Sequence, residues 1–380
     1  MFAPFIIYIL ASPVSPAATS KYLFDEAASN AAARRNWAAY RIFNLTEQFH
    51  FAPIKQLCDR CGLPGDLNVS TFSVSSSVEY PSEDGVSMSA NADPKNSSSP
   101  LRRTQSKKTT AMSEARVGFV ARDDSGDLYL AFAGDDPNSL PIDLFTLTDY
   151  PAPPACQDLK IERLKVYKPG YDAWKAVRGE VVRLLMEFMK TEESSQKNQQ
   201  TLPHLAISGH SFGSGLADIA ALDLAAASAD STNPLFGKFN LAPTHTFGDG
   251  HMGNANFVSC FNTTVVRNHG YFRVVHGRDP VPQSEGIVKS EWHLTSPEVF
   301  YDGPGENLTS WTTQNFTLCT GEADPKCSAK YVGEYVVPAG PAFKRYFEDF
   351  HVWYGGLSLC DIFELGPHAV INGCHSKSPR

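Results

Sequence analysis

The 380-residue chain has little of what marks nucleic-acid-binding or membrane-spanning proteins. Its 33 Lys and Arg residues are outnumbered by 41 Asp and Glu, the formal net charge is -8, and there is no long basic run. This charge balance argues against nucleic acid as a partner. After the N-terminal segment, no apolar stretch approaches the length of a membrane span. A single Cys-x-x-Cys pair, Cys58 with Cys61, is not enough for a zinc site built from two such pairs, and we expect no metal or organic cofactor.

The N-terminus has the pattern of a secretory signal peptide. Residues 2–11 are nearly all apolar, and Ser15-Pro16-Ala17 offers small residues for cleavage, so residues 1–17 are predicted to be removed. A disordered or membrane-anchoring leader is the alternative. The eight cysteines form an even set, which suits disulfides in an oxidising compartment, so the predicted location is extracellular. Six sequons are candidates for glycosylation: Asn44, Asn68, Asn96, Asn262, Asn307 and Asn315.

The composition divides the chain into segments. Residues 18–69 hold a helical pattern from Glu26 to Phe49 and then the loop with Cys58 and Cys61. Residues 70–114 are rich in Ser, Asn, Pro and Lys, which predicts a disordered surface insertion. Residues 115–380 alternate strand-like and helical patterns, which predicts an α/β fold with a mostly parallel central sheet and helices on both faces. Strands are expected at residues 117–122, 128–133, 165–167, 244–248 and 271–276, and a helix at residues 172–189.

The segment that says most about chemistry is Gly209-His210-Ser211-Phe212-Gly213. An apolar run precedes it and an alanine-rich helical pattern follows it, which is the strand–turn–helix setting of a nucleophile elbow. Gly209 and Gly213 stand where a Cβ would collide with the opposing backbone. The helix start aims N–H groups and a positive dipole end at a forming oxyanion. Ser211 is therefore the predicted nucleophile, and a glycine-rich loop is the alternative.

A serine nucleophile needs a histidine base that a carboxylate orients, and on α/β-hydrolase folds the chain order is Ser, acid, His. Asp279 follows a β-branched strand and begins a proline-rich loop, whereas Asp249 has the pattern of a turn. His351 lies among apolar residues that would keep an imidazole neutral, although spacing alone puts it only slightly ahead of His293. The late candidates for the base are His276, His293, His351, His368 and His375.

Six segments in the right order resemble class 3 lipases, the fungal triacylglycerol lipase type of α/β hydrolase. The segments are residues 128–134, 207–213, 246–257, 278–282, 292–300 and 349–355. They are similar to the family's strand ending in Phe-Arg-Gly, its elbow, its Phe-Gly-x-Pro-Arg-Val-Gly-Asn segment, its Asp-Ile-Val-Pro acid loop, its His-x-x-x-Glu-Tyr-Trp segment and its Asp-His-x-x-Tyr-Phe-Gly base segment. The resemblance implies the α/β-hydrolase fold and a triad of Ser211, Asp279 and His351. It also implies an oxyanion hole made by the backbone N–H groups of Phe212 and Asp135.

The resemblance also implies disulfides. Cys58 with Cys61, and Cys319 with Cys327, stand where family disulfides occur. The family's first helix carries a cysteine that is missing here, which leaves Cys374 as the candidate partner of Cys360. Cys156 and Cys260 stay unassigned.

The chain departs from the family pattern at two places. Asp135 stands where the family has Ser or Thr, so a carboxylate lies near a developing negative charge. Residues 137–145 replace the amphipathic lid helix, and Pro141 argues against a regular helix there. We predict a secreted, glycosylated serine carboxylic-ester hydrolase, first of all an acylglycerol lipase acting on a lipid or other ester. One alternative is an esterase acting on phospholipids or cell-wall phenolic esters. The other is a catalytically impaired lipase-like protein that binds lipid or a surface.

Overall fold

The computed structural model describes residues 23–43, 52–53, 68–76, 113–134, 146–193, 201–283, 291–303, 316–332, 346–354 and 357–358. Several predicted features lie outside these residues: the signal peptide at residues 1–17, Asp135, the segment 137–145, and the cysteines Cys58, Cys61, Cys360 and Cys374.

Short strands and five α-helices alternate along the described chain. The strands are β1 (Ala52–Pro53), β2 (Asn68–Ser76), β3 (Ser113–Arg122), β4 (Leu128–Phe132), β5 (Leu147–Asp149), β6 (Lys165–Tyr167), β7 (His204–His210), β8 (Asn240–Leu241), β9 (Thr244–Phe247), β10 (Tyr271–His276), β11 (Glu298–Tyr301), β12 (Phe316–Cys319), β13 (Trp353–Tyr354) and β14 (Leu357–Ser358). The α-helices are α1 (Glu26–Phe43), α2 (Pro154–Asp158), α3 (Lys168–Glu193), α4 (Phe212–Ala229) and α5 (Ala255–Phe261). Wider helical turns cover Asn262–Val266 and Phe347–His351.

Ten strands form one mixed sheet with a parallel centre. The strand order is β1-β2-β3-β4-β7-β9-β10-β11-β12, and β8 pairs with β7. The strands from β4 to β11 on this path are parallel, whereas β1 to β3 on one side and β12 on the other are antiparallel to their neighbours. The predicted strand at residues 165–167 forms, but it pairs with β5 in a separate small sheet.

Helices cover both faces of the central sheet. Helix α1 packs on β3, β4 and β7, while α4 packs on β7 and β9 and contacts α3. Successive side chains of a strand point to opposite faces. Accordingly, the Ser208 hydroxyl donates to Asn36 of α1 at 2.9 Å, and neighbouring Ile207 is buried in the core that includes α3 and α4. The predicted α/β fold is confirmed.

Helix α3 buries one face because its apolar residues recur every three or four positions. The buried residues are Trp174, Val177, Val181, Leu184, Leu185 and Phe188. Helix α4 differs, because it is buried almost all round and carries small side chains that let it lie close to the sheet. Among the described residues, α4 is the helix long and apolar enough to span a membrane, and here it serves as a core helix.

The ends of the predicted insertion are corrected by the structure. Residues 70–76 belong to β2 and residues 113–114 to β3, and these strands pair antiparallel across the insertion. The serine-rich composition hides this pairing, but Val69 is buried on one face of the strand and Ser70 and Phe72 on the other. Tertiary burial therefore outweighs a composition that is poor for strands. The middle of the insertion lies outside the described residues.

Two disulfides join parts of the described fold. Cys156 of α2 bonds to Cys260 of α5, a pair that the sequence left unassigned. Cys319 bonds to Cys327, as the family resemblance implies.

Candidate active site

The nucleophile elbow forms between β7 and α4. Ser211 has φ 54° and ψ -128°, a backbone conformation that ordinary L residues rarely adopt and that costs about 1–3 kcal/mol. A Cβ on Gly209 would lie 2.1 Å from the carbonyl oxygen of Gly213, and one on Gly213 would lie 2.4 Å from that of Ala133. These positions therefore require glycine. The Ser211 N–H donates to the carbonyl of Phe247 at 2.9 Å, which ties the elbow to β9.

Asp279 and His351 form a fully buried acid–base pair. The Nδ1 atom of His351 lies 2.9 Å from both carboxylate oxygens of Asp279. The hydroxyl of Tyr354 and the N–H of Val281 also donate to this carboxylate. Burial opposes the charged form, but the His351 imidazole and these hydrogen bonds hold the pKa of Asp279 below its usual range. The carboxylate thus stays ionised and orients the imidazole.

His210, next to the elbow serine, contacts both the backbone and the ring of His351. The Nε2 atom of His210 lies 2.7 Å from the backbone carbonyl of His351, and the two rings lie 4.6 Å apart. Burial and the neighbouring His351 lower the pKa of His210 well below its usual value, so His210 is neutral and donates from Nε2. In the described part of the chain, Nε2 of His351 is buried without a hydrogen-bond partner. That nitrogen is free to accept a proton.

Gly248 lies between the elbow and the Asp279–His351 pair. It follows Phe247, whose carbonyl binds Ser211, and it has φ +57°. A Cβ at Gly248 would lie 2.7 Å from Asp279 Oδ2 and from Nδ1 and Cε1 of His351. Only a residue without a side chain fits between the elbow and the acid–base pair.

The competing candidates make other contacts. His293 pairs with Glu322 at 3.2 Å and forms a bridge with Gly253. The Nδ1 atom of His276 lies 3.2 Å from the carbonyl of Phe350. Asp249 is fully buried, so it is more than the turn residue that its pattern indicates. His368 and His375 lie outside the described residues.

Sequence reasoning missed three residues that shape the site: Tyr354, His210 and Gly248. Tyr354 is the tyrosine of the segment that resembles the family's base segment, and Gly248 is the glycine after β9. Their presence was visible in the sequence, but their contacts depend on four chain segments meeting. Only the fold brings these segments together.

Of the remaining predicted site residues, Phe212 and two of the six sequons lie among the described residues. Phe212 begins α4, so its N–H has no acceptor within the helix and is available to an oxyanion. Of the sequons, Asn68 lies in β2, and Asn262 follows α5 half-buried, with its side-chain oxygen shielded from solvent. The others, Asn44, Asn96, Asn307 and Asn315, lie outside the described residues.

The strand order and the elbow serine are those of the α/β-hydrolase fold. The class 3 lipase family model matches residues 143–289, which confirms the resemblance to class 3 lipases over that stretch. A secreted mono- and diacylglycerol lipase of Fusarium solani is 29% identical over 162 residues, which cover 43% of this chain and 41% of that lipase. The match thus spans less than half the length of this curated relative.

Solved fungal lipases share the fold over most of the chain. The Rhizomucor miehei triacylglyceride lipase is 19% identical with a TM-score of 0.53, covering 88% of this chain and 94% of that one. Lipase II from Rhizopus niveus is 17% identical with the same TM-score of 0.53, covering 88% and 95%. At these identities the likeness establishes the α/β-hydrolase fold.

Proposed function

We propose that the protein is a serine carboxylic-ester hydrolase and, by preference, an acylglycerol lipase. The observation that carries the proposal is the buried Asp279–His351 pair set against a strained elbow serine. Both features are costly for a protein that does not use them, because they combine an unfavourable backbone conformation with a buried carboxylate. The lipase relatives support the same reaction class.

In the proposed mechanism Ser211 attacks the ester carbonyl while Nε2 of His351 accepts its proton. His351 later delivers this proton to the leaving alcohol, and a water then releases the acyl group by the same route. Asp279 holds Nδ1–H and so fixes the tautomer that leaves Nε2 as an acceptor. The N–H of Phe212, at the start of α4, donates to the oxyanion, and Asp135 is the proposed second donor.

An apolar acyl group fits the surroundings of the elbow. The ring of Phe212 lies 6.0 Å from that of Tyr167, which in turn lies 6.3 Å from that of Trp292. Phe212 is only half-buried, so this aromatic group borders the elbow where a substrate would enter. Acylglycerols meet this requirement, and phospholipids and phenolic esters are the next substrates to compare.

We further propose that the protein acts outside the cell. Its Fusarium solani relative is a secreted lipase, and the two disulfides suit an oxidising compartment. The signal sequence at residues 1–17 and the glycosylation sequons are part of this proposal.

The test compares Ser211→Ala with Ser228→Ala, a second serine of α4 whose hydroxyl binds only the Ala225 carbonyl at 2.9 Å. We expect Ser211→Ala to lose at least about a thousandfold in kcat on emulsified diacylglycerol, and Ser228→Ala to match the wild type. A serine-directed organophosphonate should label the wild type at Ser211.

Unlabelled Ser211 together with equal hydrolysis by all three proteins would refute the proposal. Binding of lipid vesicles with no hydrolysis by any of the three proteins would also refute it and would favour the lipid-binding alternative, which the presence of Asp135 motivates.

A further inference from the structure

Two aspartates are buried side by side beneath the elbow. Asp218 of α4 and Asp249, which follows Gly248, are both fully shielded from solvent. One hydroxyl, that of Tyr271, lies 3.4 Å from Oδ2 of Asp218 and 3.0 Å from Oδ2 of Asp249, so the two carboxyl groups face the same side chain. The proposed mechanism uses neither residue.

Asp249 connects the nucleophile's helix to the turn beneath the acid–base pair. Its Oδ1 accepts a hydrogen bond from the Ser214 hydroxyl at 2.7 Å, and Ser214 lies in the first turn of α4, in contact with the Ser211 carbonyl. Its Oδ2 lies 3.0 Å from the Tyr271 hydroxyl. Since Asp249 is bonded directly to Gly248, this carboxylate fixes the spacing between Ser211 and the Asp279–His351 pair.

Asp218 has much poorer partners. Its Oδ2 lies 3.4 Å from the Tyr271 hydroxyl and 3.3 Å from that of Thr295, and its Oδ1 has no hydrogen-bond partner among the described residues. A buried carboxylate with such weak donors is unfavourable in its charged form. Burial and the neighbouring Asp249 raise the pKa of Asp218 well above its usual value.

One cation, Arg273 of β10, contributes to keeping Asp249 ionised. Its Nη2 donates to Glu298 of β11 at 2.6 Å and its Nε to the Thr295 carbonyl at 2.9 Å, while Nη1 has no hydrogen-bond partner among the described residues. Tyr271 of β10 is the other titratable group facing the pair, and burial and the two aspartates raise its pKa well above its usual value. The cluster therefore contains the Arg273–Glu298 ion pair and can stabilise one further negative charge.

We propose that Asp218 and Asp249 hold one proton between them, and that neutral Asp218 lets Asp249 act as the single anion that positions the elbow. Asp218 donates this proton to Asp249, while Ser214 and Tyr271 donate to the same carboxylate. Loss of the proton places two anions in contact beneath Ser211 and pushes the elbow out of line with His351. Both aspartates are positioning residues. The effect on turnover rests on the proposed function, whereas the bound proton does not.

The first test measures the proton without any assay of activity. In the unfolded chain an aspartate releases its proton near pH 4, so above that pH the folded state holds one proton more. Stability then falls as pH rises, and the unfolding equilibrium constant of the wild type should rise tenfold per pH unit relative to Asp218→Asn between about pH 5 and about pH 7.

Two further variants sharpen this measurement. Asp223→Asn removes a carboxylate from the same helix, one that pairs with Arg178 at 2.6 Å and is partly exposed, and it should keep the wild-type slope. Asp249→Asn should also keep it, because Asp218 stays buried and protonated. Parallel pH curves for the wild type and Asp218→Asn overturn the proposal. If Asp218→Asn does not fold, infrared spectra of the wild type at neutral pH take its place, and absence of a protonated carboxyl band then overturns it.

The second test follows the pH profile of kcat. The kcat of the wild type should decline at alkaline pH as the shared proton leaves. The amide of Asp218→Asn can still donate to Asp249, so the kcat of this variant at neutral pH should stay within about threefold of the wild-type value. Its kcat should also persist to higher pH than that of the wild type. Identical alkaline limbs overturn the positioning role. If the protein hydrolyses esters but its stability shows no bound proton, this inference fails and the proposed function stands. If the stability shows the bound proton but the protein hydrolyses no ester, the proposed function fails and the bound proton stands.

Discussion

Replacing Gly248 with alanine should disable turnover while the protein stays folded. The new Cβ would lie 2.7 Å from Asp279 Oδ2 and from two ring atoms of His351, where ordinary contacts begin at 3.4 Å. The acid–base pair must therefore shift by roughly 0.7 Å, and a misplacement of about 1 Å costs about a hundredfold in rate. We expect kcat to fall by about a hundredfold with little change in KM.

The same change also has a cost in stability. At φ +57° an alanine is strained by about 1–2 kcal/mol relative to glycine. Gly237 offers a matched control, because it has φ +61° and open space around its Cβ position. Gly237→Ala should lower the free energy of unfolding by a similar amount in urea titrations and leave ester hydrolysis unchanged.

The comparison isolates the clash from the backbone strain. If Gly248→Ala keeps kcat to within a few-fold of Gly237→Ala, then the geometry of the Asp279–His351 pair does not limit turnover. The reasoning that assigns the triad to these residues would then be refuted.

Two further predictions concern the supports of the site and of the fold. Tyr354→Phe removes a donor to the buried Asp279 carboxylate and the hydroxyl that lies 3.3 Å from the His276 N–H, so we expect a loss of about 2–4 kcal/mol in unfolding free energy and about tenfold in kcat. The pKa of Asp279 is lower in the folded protein than in the unfolded chain, so this carboxylate stabilises the fold at pH values above its unfolded pKa, and the stabilisation is lost on acidification. The difference in unfolding free energy between Tyr354→Phe and the wild type should therefore shrink below about pH 4. A difference that is independent of pH would contradict this account. Replacing both Cys156 and Cys260, which are 104 residues apart, with alanine should cost about 4.7 kcal/mol by loop entropy, against about 2.5 kcal/mol for Cys319 and Cys327, which are 8 apart. Urea unfolding under oxidising conditions measures both losses, and equal values would contradict the loop-entropy explanation.

The local pattern of the sequence was enough for the elbow and for most strands around it. Gly209 is required by the approach of Gly213 within the motif itself, whereas Gly213 is required by the carbonyl of Ala133 at the end of the neighbouring strand, so the motif records one local and one tertiary approach. The alternation of strands and helices gave the α/β fold, because burial periodicity is local. The positions of Asp279 and His351 needed the family resemblance in addition, since residue spacing alone left His293 nearly as good a candidate as His351.

Only the tertiary structure decided which polar groups meet. In the fold Cys156 bonds to Cys260, and the serine-rich residues 70–76 pair with β3 in the central sheet. Asp218 and Asp249 face the same hydroxyl, that of Tyr271. Each of these contacts joins residues that are far apart in the chain, and their energies come from burial and charge rather than from local propensity. A sequence pattern reports which face of a strand or helix is buried, but the partner on that face is fixed only when the sheet assembles.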